Sequence, residues 1–528
     1  MLFRSYGGAY VQDSIRVRPN LTLNLGLRWE FSQPWYDTQD RIVTMIPGQQ
    51  STQFPKAPKG LLYPGDQGVP RTLAPTRYNN FSPRLGIAYS PGSSAGLLGK
   101  ILGGPGKTSI RAGGGIFYTA IQDQTLYWIL GTTPFGIYWV SPVPSLFEEP
   151  YRTRSTGESQ GQKFPYLIPT PGSPESRNLD FSPFLPLSST LGYKNDNDLP
   201  YAIHYNLTIQ RQLTRSMILS LGYVGTQGRK LISIVENNPG DRGLCLSLRG
   251  SGVMPGTLQC GPSQEDATFT RPDGTLVYGT RGPFGKDFSF GYDEANWANS
   301  SYNSLQASLE MRSSIATFLL GYTFSKAMDN GSFFNDRMNY ADHRLSRSLS
   351  NFDTPHNFVA SYTITLPFDR AFAGAPKRLV QGWRIAGITR FATGFPVGVF
   401  APNDRSLSGT GGLDRPDLVG PLKISHDLRQ GDHRWFNSDA FSVQPLGTFG
   451  TANRRFFHGP GFNNWNFGLH KDTQIREGIN LQIRVEAFNA FNHAQFGAPN
   501  GNFSSSRFGI VGSAREPRIL QLAAKFLW

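Results

Sequence analysis

Stretch after stretch of this chain places an apolar residue at every second position. The sharpest case runs from 21 to 31. Leu21, Leu23, Leu25, Leu27, Trp29 and Phe31 share one face of an extended segment, and Thr22, Asn24, Gly26, Arg28 and Glu30 share the other. A helix would spread those leucines around its whole circumference, so the period of two dictates strand. The tight turn Arg18-Pro19-Asn20 joins this segment to a preceding one, in which Ala9, Val11, Ile15 and Val17 oppose Gln12, Ser14 and Arg16.

The same pattern returns in Leu85/Ile87/Tyr89 and in Ile110 through Tyr118. It returns in Ile203/Tyr205/Leu207/Ile209, Met217/Leu219/Leu221/Tyr223, Leu305/Ala307/Leu309/Met311 and Phe318/Leu320/Tyr322/Phe324. Later copies are Phe358 through Leu366, Trp383/Ile385, Trp465/Phe467/Leu469, Ile479 through Ala487, and a final segment with Leu520, Leu522, Ala524, Phe526 and Trp528 on one face. This makes about thirteen strands of roughly 9–13 residues, the length that a tilted membrane-crossing strand requires. Some connections are short turns, near 18–20, 214–216, 312–315 and 473–478. Others are long, near 32–80, 119–200, 227–302, 327–355, 394–462 and 492–517. Short turns at one end and long loops at the other are the layout of an antiparallel outer-membrane β-barrel, with the turns periplasmic and the loops extracellular.

Composition agrees. Apolar residues make up 38% of the 528, aromatics 13%, and Gly 59 with Pro 38 supplies many turns. A lean apolar content with abundant aromatics fits a polar lumen and aromatic girdles better than a compact soluble core. No apolar run approaches the roughly 18 residues of a transmembrane helix. The net charge of +14 is scattered without a nucleic-acid motif, so nucleic acid is not an expected partner, whereas the phosphates of lipopolysaccharide and outer-membrane lipid are.

The last strand follows a long loop and so runs inward, which leaves Trp528 at the periplasm. Counting back through thirteen strands, the first also runs inward. An odd number leaves an edge unpaired in lipid, at prohibitive cost. The expectation is that further strands lie upstream, along with the export signal that Met1–Tyr6 does not contain.

The closing segment, with Leu522, Phe526 and the terminal Trp528, resembles the C-terminal signal read by the barrel-assembly machinery of outer membranes. Longer stretches resemble the TonB-dependent outer-membrane receptors, in particular an Oar-like subgroup. They are Tyr10-Val11-Gln12-Asp13 running into Arg18 through Glu30, Phe81-Ser82-Pro83-Arg84-Leu85-Gly86, Phe352-Asp353-Thr354-Pro355-His356-Asn357-Phe358-Val359, Gly382-Trp383-Arg384-Ile385 through Thr393-Gly394-Phe395-Pro396, Arg484 through His493, and Ala514 through Arg518. The resemblance implies a barrel of twenty-two strands closed by an N-terminal plug that engages the TonB complex. Residues 1–528 would then be the C-terminal barrel portion without the plug, and TonB coupling would act through an N-terminal region absent from this sequence. The implied function is import of a scarce siderophore, carbohydrate or peptide. The alternative is a structural or adhesive barrel, or a passive pore.

Chemistry-bearing motifs are sparse. Asp342-His343 and Asp432-His433 lack metal-ligand spacing, Asn195-Asp196-Asn197-Asp198 lacks the Gly and Glu of a calcium loop, and no triad or phosphate loop occurs. No catalytic residue, metal or cofactor is expected. Cys245 and Cys260 lie in one Gly/Pro-rich segment and are a disulfide candidate for an oxidising compartment. Tyr127, Trp128, Phe135, Tyr138 and Trp139 gather in the 119–200 loop as candidate ligand-stacking aromatics, with interface girdle or loop packing as the plainer role. Arg28, Glu30, Arg84, Arg111, Gln210, Glu310, Arg312, Arg484 and Glu486 are the expected polar lining.

Overall fold

A computed structural model describes residues 2–72, 74–92, 96–120, 134–136, 148, 168–188, 190–194, 196–333, 336–425, 427–428 and 431–528. Thirteen strands form the path of its main sheet: β1 (Tyr6–Arg18), β2 (Leu21–Ser32), β3 (Asn80–Tyr89), β4 (Thr108–Tyr118), β5 (Tyr201–Thr214), β6 (Met217–Glu236), β7 (Gly291–Arg312), β8 (Ala316–Asp329), β9 (His356–Thr365), β10 (Trp383–Ala392), β11 (Phe462–Arg476), β12 (Ile479–Phe488) and β13 (Ile519–Leu527). Each is antiparallel to the next in sequence. Three short segments, Thr190–Tyr193, Arg337–Met338 and Ser348–Leu349, join the same sheet beside β7, β6 and β8. Among the described residues, β1 and β13 have one neighbour each in this sheet, so the meander is open.

Register carries the alternation across strands. Leu207, Leu221 and Leu305 lie on the apolar face of β5–β7 and are exposed, as are Leu25, Leu85, Ile483 and Leu522 elsewhere on it. A continuous band of exposed aliphatic side chains is excluded from water, and lipid is the solvent that suits it. Aromatics flank the band. Tyr205, Tyr223, Tyr322, Phe324, Phe358, Phe391, Trp465 and Phe467 stand toward the long-loop end, where the Tyr205 and Tyr223 hydroxyls both donate to Asn303 Oδ1 at 2.9 Å. Rings are seated on glycines of the neighbouring strand. A Cβ on Gly225 would lie 2.1 Å from the Tyr205 ring, and one on Gly387 would lie 2.7 Å from Tyr362.

β6 and β7, at 20 and 22 residues, are far longer than the expected 9–13 and occupy much of what the sequence reads as the 227–302 loop. Ser233–Glu236 are buried one after another, so two-residue alternation stops while the strand continues. That is why the pattern ends too early in the sequence. The actual connection is 237–290. At the turn end, 90–107 and 366–382 are longer than hairpin turns and hold α1 (Gly96–Leu102), α2 (Phe368–Ala371) and α3 (Lys377–Val380).

Buried apolar residues concentrate outside the sheet. The long connections build their own cores: Phe54, Tyr63, Phe181, Leu187 and Phe288 in one, and Trp435, Phe436, Phe441, Phe457 and Phe508 in another. The loops therefore form a packed cap over one end of the sheet. Among the described residues no helix is long and apolar enough to cross a membrane.

Candidate functional site

The cap is held by buried polar groups from distant parts of the chain. Arg454, in the 393–461 connection, places Nη2 2.6 Å from Asp329 Oδ1 at the end of β8 and Nη1 3.0 Å from Asp336 Oδ2. Arg455 donates to Leu349 O at 2.9 Å and Ser332 Oγ at 2.7 Å, and His458 Nε2 lies 2.9 Å from the buried Asp353 carboxylate. Charges removed from water need this kind of saturation, and a lone member would be costly. The pair Asp329–Arg454 is 125 residues apart in sequence, so local pattern carries no trace of it.

A second junction ties 237–290 to 393–461. Asp404 accepts from Ser263 N and Gly409 N at 3.0 Å each, and Arg281 Nε donates to Asp266 Oδ1 at 2.7 Å. Glu265 is buried near Asp404; burial first, and the neighbouring carboxyl second, push its carboxyl up to about 8. Burial likewise raises Asp414 to about 6. Nearby, Cys245 and Cys260 are joined as a disulfide, with Cys245 on the short helix α4 (Arg242–Gly250). Both sulfurs belong to a core with Leu248, Val253, Phe269 and Leu407.

Of the five candidate loop aromatics, Tyr127, Trp128, Tyr138 and Trp139 lie outside the described residues. Phe135 is half-buried and edge-on to Phe54 and Tyr63, with centroids 6.0 and 5.7 Å away, so its ring packs into the cap core. Phe333, in another loop, is exposed. The Asp-His pairs serve local structure: Asp342 accepts from Arg344 N and His343 lies over Trp297 at 4.5 Å, while His433 Nδ1 approaches Leu428 O at 2.6 Å. Among the described residues, no three His, Cys, Asp or Glu side chains gather as a metal site. Leu522, Phe526 and Trp528 stand exposed on the last strand and its end.

The polar face of the sheet has two unlike ends. Across β10–β12 most charges are paired: Arg384 with Asp472 at 2.5 Å, Arg484 with Glu486 at 3.5 Å, and His470 with Glu486 at 4.0 Å, while Arg390 bonds to Asn357 Oδ1 at 3.1 Å and lies over the Phe462 ring. At the β1–β4 end, Arg28 Nε meets Glu30 at 2.7 Å while Arg84 lies over the Phe117 ring at 4.5 Å. Gln210, Glu310 and Arg312 occupy intermediate strands, with Arg312 Nε 2.6 Å from Glu310. Such a wall can bind and orient polar solutes.

No curated protein matches the chain. Among solved structures, the outer membrane transporter YddB from Escherichia coli aligns with 99% of this chain and 45% of its own, at 10% identity and a TM-score of 0.45. The FrpB iron transporter from Neisseria meningitidis aligns with 99% and 45%, at 9% identity and 0.39. The siderophore receptor PiuA from Acinetobacter baumannii aligns with 100% and 43%, at 9% identity and 0.39. This chain thus spans less than half the length of these proteins. The model of the outer membrane beta barrel domain matches residues 2–521, nearly the whole chain, and with that match the chain belongs to the outer-membrane β-barrel domain family and to the bacterial outer membrane.

Proposed function

We propose that this chain supplies the C-terminal strands of a larger, plug-gated barrel of the TonB-dependent, Oar-like kind, which captures a scarce ligand at its cap and passes it along the polar wall. The observation that carries this reading is the combination of an open thirteen-strand meander with a separately packed cap. An open edge in lipid leaves a row of unsatisfied backbone groups, so further strands must pair with β1 and β13. A plug with its TonB contact and the remaining strands would complete such a barrel. Lipopolysaccharide would meet the outer girdle, and the Leu522/Phe526/Trp528 end would engage the barrel-assembly machinery. Tyr127, Trp128, Tyr138 and Trp139 would contact the ligand on a loop anchored through Phe135. The reaction is transport, with no covalent step.

The test deletes the gene in its own host and measures growth limited in turn by iron chelates, oligosaccharides or peptides. Loss of growth on one nutrient, restored by the gene but not when TonB is removed, supports the importer. Full growth on every nutrient with loss of surface attachment overturns it in favour of an adhesive barrel. Restoration without TonB overturns it in favour of a passive pore.

A further inference from the structure

The cross-strand register assembles a basic stretch on the polar face of β1–β5. One row reads Gln12, Gly26, Arg84, Gly115, His204; the next Ser14, Asn24, Gly86, Gly113, Asn206; the third Arg16, Thr22, Ala88, Arg111, Thr208. No carboxylate stands in these three rows. Above them Arg28 is matched by Glu30, but among the described residues neither Arg84 nor Arg111 has an acidic partner. Arg84 and Arg111 are four positions apart along the strands, about 13 Å at ~3.3 Å per residue.

Gly86 and Gly113 lie between the two arginine rows and Gly26 beside Arg84, and packing requires none of the three, in contrast to Gly115, where a Cβ would lie 3.0 Å from Pro83 O. A Cβ on Gly26 would meet its nearest neighbour, Arg84 Cβ, at 3.7 Å, and one on Gly113 would meet Leu85 O at 3.5 Å, both ordinary contacts. This contrasts with Gly225 and Gly387, whose faces are occupied by tyrosine rings. Glycine inside a strand sacrifices stability, and it marks places where a ligand approaches the backbone closely. Over Gly26 lies a hollow of about 290 Å³, lined by Tyr10, Gln12, Arg28 and Arg84. In the row above, Ser82 is fully buried and its Oγ has no hydrogen-bond partner.

From this arrangement we infer a binding site for a small carboxylate- or phosphate-bearing solute on the polar face of β1–β5, with Arg84 and Arg111 as its two cationic contacts and Gly26, Gly86 and Gly113 as its floor. Guanidinium groups bind such oxyanions through paired N–H donors, and Asn24, Asn206 and Gln12 supply neutral donors beside them. Arg384, neutralised by Asp472 on β11, is the natural control at the opposite end. The inference rests on the importer reading for its purpose, since it names the chemical class of what would pass this wall; the binding itself does not depend on uptake.

The test uses the complete natural gene product, purified in detergent, and titrates inorganic phosphate and succinate by calorimetry. Saturable binding is expected for at least one of them, weakened tenfold or more in Arg84→Gln/Arg111→Gln and unchanged in Arg384→Gln. Ser14→Glu, which places a carboxylate in the row between the two arginines without removing either, should abolish it. Each variant is first shown to keep the heat-modifiable gel mobility of a folded barrel. Absence of binding to both anions, or equal binding by the double variant, overturns the site. So does a cross-link from Arg84→Cys to an acidic segment of the same polypeptide, which would make the occupant protein. Loss of binding with uptake intact removes the site alone, whereas binding without uptake of any nutrient supports the site and removes the importer reading.

Discussion

Glu265 is one of the few side chains here whose protonation is coupled to structure. It sits in the cap, 3% exposed, with Arg281 Nη2 3.9 Å away and Asp404 beside it. Its carboxyl titrates at about 8 in the folded cap against 4.5 when exposed, because burial and the neighbouring carboxyl oppose a second negative charge. Below pH 4.5 the group is protonated in both states and its contribution is complete. Between 4.5 and 8 the folded cap keeps a proton that the unfolded loop has released, so stability falls as pH rises, by on the order of a few kcal/mol. Amide exchange across 261–280, corrected for intrinsic rates, should show protection declining from pH 5 to pH 8 in the wild type. Glu265→Gln should flatten that dependence. A wild-type profile already flat over the same range would contradict the assignment. None of this was readable beforehand, because Glu265 and Asp404 are far apart in sequence and neither lies in a recognisable motif. The same is true of Arg454, whose three partners come from two other segments.

Strands were legible wherever one face meets lipid and the other water, since that asymmetry writes a period of two into the sequence. The thirteen segments with this signature correspond to β1–β13. Legibility failed at the tops of β6 and β7, where both faces enter the cap and the alternation disappears. It failed for the long loops as well, whose scattered Gly, Pro and aromatics conceal, among the described residues, four packed cores. Glycines were ambiguous in sequence and distinct in structure. Gly225→Val should push a side chain into the Tyr205 ring and cost about 1–3 kcal/mol. Its heat-modifiability midpoint on gels should drop relative to the wild type. Gly321→Val is the matched control, because a Cβ there would meet nothing closer than Val359 O at 3.9 Å. Equal midpoints for the two variants would show that the ring seat is not a stability determinant.

For the molecule as a whole, the arrangement places a lipid band around the sheet, a polar wall behind it and a folded cap at one end. Single spin labels stepped along β6 from 217 to 224 should resolve the two faces. Labels at 219, 221 and 223 should be accessible to oxygen dissolved in the bilayer, and those at 218, 220, 222 and 224 to a water-soluble nickel complex. Uniform accessibility along the strand would contradict the band. The order of the sheet has a further consequence. Among the described residues, each of β1–β13 bonds along the meander to the strands next to it in chain order, while Thr190–Tyr193, Arg337–Met338 and Ser348–Leu349 pair out of order with the cap ends of β7, β6 and β8. Below the cap, a strand pair with its turn is therefore a self-contained module, and inserting or removing one leaves the other pairings of the meander intact while changing the circumference by two strands; the cap, whose connections pair with one another, is the part that would have to adapt. Lineages built this way can vary bore size by hairpin duplication or loss, whereas an interleaved sheet would have to be rewired throughout.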